Sequence, residues 1–109
     1  MQVTSEVHQR VMEKLGEGVT AAEAVYNRKF DIPKVLYNVR GSTAGLALYH
    51  LWCIRLNAVL LMENVDAFIA RTVPHELAHL ITGRMYPETR RVAPGQKRDT
   101  HGMLSLIHI

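Results

Sequence analysis

The spacing of apolar side chains divides the chain into zones of different period. Val7, Val11 and Leu15 recur every fourth residue, which places them on one helical face. Gly16 and Gly18 interrupt the pattern, and Thr20 followed by Glu23 has capping-box spacing. The first thirty residues are therefore expected to form two helical pieces, the second from about Ala21 to Lys29, packed as a layer over a sheet. Beyond Pro33 the residues become β-formers. Residues 35–39 predict a strand at a sheet edge, residues 40–45 are turn-rich, and residues 46–52 and 53–56 are expected to pair as antiparallel neighbours. His50 lies in that zone and is expected to be a partly buried, hydrogen-bonded side chain rather than a ligand.

From Asn64 the period is helical again. Asn64 fits an N-cap, with Asp66 in the first turn where a negative charge meets the positive helix end. Ala67, Phe68, Ala70, Leu77, Ala78, Leu80 and Ile81 then describe a largely buried helix running to about Gly83. Pro74 lies inside it. Proline lacks the backbone donor and crowds the preceding turn, so a kink or a new helix start is expected there. After Tyr86 and Pro87 the chain is polar and basic as far as His101, the pattern of an extended loop.

Composition narrows the class. With 109 residues, 48% hydrophobic and 21% charged, the chain has the balance of one globular domain. A single cysteine, Cys53, excludes a disulfide framework and an all-cysteine metal site, and fits a reducing compartment. The longest apolar stretch, residues 58–62, is far short of the ~20 residues a membrane span requires. The first six residues lack the features of a secretory signal, so a soluble cytoplasmic protein with no membrane partner is expected. Charge is unevenly placed: residues 1–66 carry seven basic and seven acidic side chains, whereas residues 67–109 carry six basic against three acidic. The excess is concentrated in Arg84, Arg90, Arg91, Lys97 and Arg98, which suit phosphate contacts or form a solvated loop.

One motif carries definite chemistry. His75-Glu76-Leu77-Ala78-His79 places two imidazoles four residues apart, about 40° apart in helical projection, so both leave the same face. Two neutral ring nitrogens at that separation can bind one zinc ion, and Glu76 beside them can accept a proton from a water that the ion activates. The bland alternative is a buried helix whose histidines only pack. Catalytic zinc takes a third protein ligand, for which Glu88, Asp99, His101 and His108 are downstream candidates. His101 is favoured because Gly102 permits a close backbone approach and the preceding polar loop can return over the site.

The order of blocks extends the motif into a resemblance. The run Arg40-Gly41-Ser42-Thr43-Ala44-Gly45, then Ile54-Arg55-Leu56-Asn57-Ala58-Val59-Leu60-Leu61 and Glu63-Asn64, then Val73-Pro74-His75-Glu76-Leu77-Ala78-His79-Leu80 resembles the SprT-like family, in its bacterial and phage branch related to the Spartan proteases. The match covers about residues 35–83. It implies an α+β, zincin-like metallopeptidase domain with N-terminal helices, a small mainly antiparallel three-stranded sheet and an HExxH active-site helix. It also implies His75 and His79 as zinc ligands and Glu76 as general base. His101-Gly102 matches the family's third-ligand pair. In Spartan relatives the activity is DNA-dependent cleavage of proteins crosslinked to DNA, which makes DNA an implied partner beside a protein or peptide substrate.

The aromatic, the further helix and the cysteine zinc ribbon expected after Gly102 do not follow. The last six residues are what CTG TCT CTT ATA CAC ATC encodes, the end of a common transposon-based sequencing adaptor. Residues 1–103 are thus expected to be a SprT-like domain incomplete at its C-terminus, and residues 104–109 a non-native tail. The leading expectation is a zinc-dependent protease. Its competitor is a non-catalytic, zinc-stabilised module associated with nucleic acid, which the presence of Glu76 disfavours, because a structural zinc needs no base and is normally closed by four protein ligands.

Overall fold

The computed structural model describes residues 2–86. The N-terminal layer is one helix, α1 (Ser5–Tyr26), and not two. Its N-cap is Thr4, whose hydroxyl accepts from the Val7 N–H, and it ends on Asn27 in the left-handed conformation. The expected break at Gly16 and Gly18 does not occur. Each glycine weakens a helix interior by about 1 kcal/mol, whereas burying a side chain such as Leu15 or Val19 returns about 1.5–3 kcal/mol. The buried row Val7, Val11, Leu15, Gly18, Val19, Ala22 continues the same face across both glycines. Glu23 is no capping-box partner of Thr20 either; its carboxylate accepts from the Phe30 N–H at 2.9 Å and fastens the turn after the helix.

The sheet has three short strands, β1 (Lys34–Leu36), β2 (Gly45–Leu48) and β3 (Cys53–Leu56), in the order β1-β3-β2. β2 and β3 form the expected antiparallel hairpin, with Gly45 opposite Leu56 and Leu48 opposite Cys53. β1, however, lies parallel to β3, pairing Lys34 with Cys53 and Leu36 with Arg55. The sheet is therefore mixed rather than mainly antiparallel. The reason is the connection: the chain crosses from β1 past β3 through residues 37–44 before the hairpin begins, leaving β1 on the other edge of β3. Both predicted outer strands are also shorter than expected. Residues 49–52 make the hairpin turn, where Trp52 has φ 49°. His50 sits exposed in that turn instead of partly buried in a strand.

A short helix, α2 (Ala58–Glu63), follows β3 and is capped by Asn57, whose Oδ1 accepts from the Leu60 N–H. Asn64, the expected N-cap, makes no side-chain cap bond. From Val65 the backbone is helical without interruption to Met85, as α3 (Val65–Ala67), a π-helical turn (Phe68–Thr72) and α4 (Val73–Met85). Pro74 stands in the first turn of α4, the new helix start expected there, although the backbone before it stays helical. The turn before it widens, with the Val73 N–H donating to the Phe68 carbonyl five residues back. Widening makes room for the proline ring, which would otherwise meet the carbonyl four residues earlier.

α4 packs against α1 and against strands β2 and β3. Leu15 of α1, Ile54 and Leu56 of β3, Leu61 of α2, and Leu80 and Ile81 of α4 meet in one fully buried core. Among the described residues no helix is long and apolar enough to cross a membrane.

Candidate active site

The buried side of α4 fixes which residues it shows to solvent. Val73, Pro74, Leu77, Ala78, Leu80 and Ile81 are buried, at spacings that trace one helical face. His75, Glu76 and His79 occupy the opposite side, His75 exposed and the other two half-buried. Their chemistry follows from that register.

The two imidazoles converge. Nε2 of His79 lies 2.9 Å from Nε2 of His75, one ring donating and the other accepting, and the rings meet edge to face at 82° with centroids 4.5 Å apart. Two nitrogens on a tetrahedral zinc, each about 2.0–2.1 Å from the metal, stand about 3.3 Å apart. The pair therefore needs to open by only about 0.4 Å to hold one ion, with both ring protons moved to Nδ1. The donor set fits zinc as two of the ligands of a site completed from elsewhere. Among the described residues no group of three or more His, Cys, Asp or Glu side chains could hold a metal. Glu88, Asp99, His101 and His108, the sequence candidates for the third ligand, lie outside the described residues, as does the tail at 104–109.

Glu76 is placed differently. Burial pushes its carboxyl above the ordinary carboxylate value, because a half-buried anion loses hydration. Its Cγ lies against the first residue of β2: a β-carbon at Gly45 would stand 3.0 Å from Glu76 Cγ. A glycine at the head of the strand lets the sheet approach the Glu76 side chain this closely.

Asn57 is the residue that sequence reasoning missed as part of this neighbourhood. It is 1% exposed, and its Nδ2 donates to the carbonyls of Gly41 and Thr43, both at 2.9 Å. The available signal was an asparagine three residues before Leu60, heading the apolar run 58–62, which has N-cap spacing.

Of the five basic residues read as phosphate contacts, only Arg84 is described. It is exposed in the last turn of α4, its guanidinium 3.7 Å from the centre of the Trp52 ring. Arg90, Arg91, Lys97 and Arg98 lie outside the described residues. His8 of α1 is held by Tyr37 through Nδ1 and the phenolic oxygen.

The SprT-like family matches residues 15–102, more than the stretch 35–83 that the motifs alone span. This chain belongs to the SprT-like family. Protein SprT of Salmonella arizonae is 50% identical over 80 residues, 73% of this chain and 48% of that one. Protein SprT of Vibrio atlanticus is 48% identical over 90 residues, covering 83% and 54%. The Salmonella newport protein of the same name is 45% identical over 80 residues. The chain thus spans about half the length of the curated relatives it matches. No solved structure matches it. Membership agrees with the α+β architecture, and the family-like blocks around Gly45, Asn57 and His75 fall where α4 packs against β2 and Asn57 bonds to the turn before that strand.

Proposed function

We propose that this SprT-like chain carries the catalytic core of a zinc-dependent metallopeptidase of zincin type, with His75, His79 and His101 as metal ligands and Glu76 as general base. The observation that carries the reading is the meeting of the His75 and His79 Nε2 atoms at 2.9 Å beside a half-buried carboxyl. When bound, zinc supplies a positive charge that acidifies water and polarises the scissile carbonyl. Glu76 accepts the proton that water loses as its oxygen bonds to the carbonyl carbon. It then delivers that proton to the amide nitrogen as the C–N bond breaks. Burial raises the Glu76 pKa, which makes this carboxylate a stronger base than an exposed one.

The substrate class we propose is protein held on DNA, supported by the resemblance to Spartan and by the basic excess of residues 67–109. The test pairs zinc content with cleavage of casein and of a DNA-bound protein, for the chain and for Glu76→Gln. The expected result is equal zinc in both and a loss of about 100- to 10,000-fold in cleavage for the variant. Cleavage that survives the substitution removes Glu76 as base. Zinc bound with no cleavage by either form favours the non-catalytic binding module.

A further inference from the structure

Within the motif, Glu76 is the member that no polar group holds: among the described residues it forms no hydrogen bond or ion pair. Its orientation depends instead on what its methylenes pack against, and that includes the backbone of Gly45. Gly45 is paired with Leu56, the residue immediately before Asn57. The Asn57 side chain donates to Gly41 and Thr43, and its backbone N–H donates to the Ala44 carbonyl at 2.8 Å. Its Oδ1 accepts from Leu60, so both amide protons and the oxygen are in use. The turn it grips includes Gly41 at φ 79°, a conformation that favours glycine.

We propose that Asn57 is a positioning residue for proteolysis: it clasps residues 41–44 so that Gly45 holds Glu76 in its working orientation. The residue types fit this task and few others do. An aspartate at 57 could cap α2 but would face two carbonyl oxygens without a donor. A β-carbon at 45 would press on Glu76 from one side while the Arg55 carbonyl, 3.1 Å away, blocks the other. The inference rests on the reading of Glu76 as general base, and the experiment below separates the two.

Asn57→Ser is the informative variant, because serine keeps an oxygen to cap α2 and removes both clasp donors. Gly45→Ala tests the same link from its other end and does not touch the cap. In the zinc-loaded chain both variants are expected to retain zinc affinity and KM within about twofold and to lose about 100-fold in kcat, as a base displaced by about 1 Å would. The second readout is independent of activity: an NMR contact between the Gly45 α-protons and the Glu76 γ-protons, present in the unsubstituted chain, is expected to weaken in Asn57→Ser. Unchanged kcat together with an unchanged contact in the folded serine variant overturns the proposal. An unsubstituted chain that binds zinc and cleaves nothing overturns the protease reading, while loss of the contact in Asn57→Ser would still establish the clasp.

Discussion

The ring of Tyr49 lies across the α-carbon of Gly83, so close that a β-carbon at 83 would overlap Tyr49 Cδ1 and Cε1. The hairpin turn of residues 49–52 is thereby seated on the last turns of the helix that carries the candidate site. Gly83→Ala is expected to displace the ring and destabilise the fold by about 1–3 kcal/mol, the range for overpacking a filled site. Thermal unfolding checks it, with a fall in Tm of at least about 4 °C. Gly16→Ala should have the opposite sign. Its β-carbon would meet only Ile32 Cδ1 at 4.0 Å, so the helix gains about 0.5–1 kcal/mol. A urea midpoint that falls for Gly16→Ala would show that α1 does not accept the methyl.

Removal of the metal gives a sharper division among the histidines. A chelator is expected to abolish cleavage and added zinc to restore it. His75→Ala and His79→Ala, which each remove one of the two converging nitrogens, should weaken zinc binding by more than about 100-fold. The same loss is expected for His101→Ala. Unchanged affinity in that variant would pass the role to Glu88, Asp99 or His108.

Alkaline pH tests the contact between α1 and the chain after β1. Burial pushes the Tyr37 hydroxyl from its ordinary 10.0 up to about 12. The neutral phenol is therefore favoured in the folded protein. Its contribution is complete below pH 10 and is lost as the pH rises through about 12. Tm measured at pH 8 and pH 11 should fall less in Tyr37→Phe than in the unsubstituted chain. Part of the fall must remain, because Tyr26 is also raised to about 12, chiefly by burial. An identical drop in both proteins would exclude Tyr37 from the transition.

Arg84 has two separable roles to test. Its guanidinium stands 3.7 Å over the Trp52 ring, so Arg84→Ala should lower stability by about 0.5–1 kcal/mol through the lost cation–π contact. If the same group also meets a phosphate, the dependence of DNA affinity on salt should flatten, its slope falling by about 1. Lost stability with an unchanged salt slope would leave Arg84 a packing residue alone.

The candidate site was legible because its chemistry is local. Four-residue spacing on a helix carries both imidazoles to one side whatever the rest of the chain does, and the apolar residues 73, 74, 77, 78, 80 and 81 say which side that is. The β2–β3 hairpin was legible for the same reason, since neighbours in sequence pair through a short turn. The glycines of α1 misled, because propensity counts the weakness of one position and not the core that spans it. Leu15 and Val19 hold α1 together across Gly16 and Gly18, and a widened turn carries the long helix past Pro74.

The sequence by itself determined the motif, the helix that bears it and the family to which the chain belongs. Only the tertiary structure decided that β1 runs parallel to β3, that Asn57 grips the turn at 41–44, and that Gly45 lies against Glu76. The physical reason is range. Periodicity records which face of an element is apolar, over a few residues, whereas these three relationships join positions through hydrogen bonds and close packing across 14 to 31 residues of chain, and no local pattern encodes them.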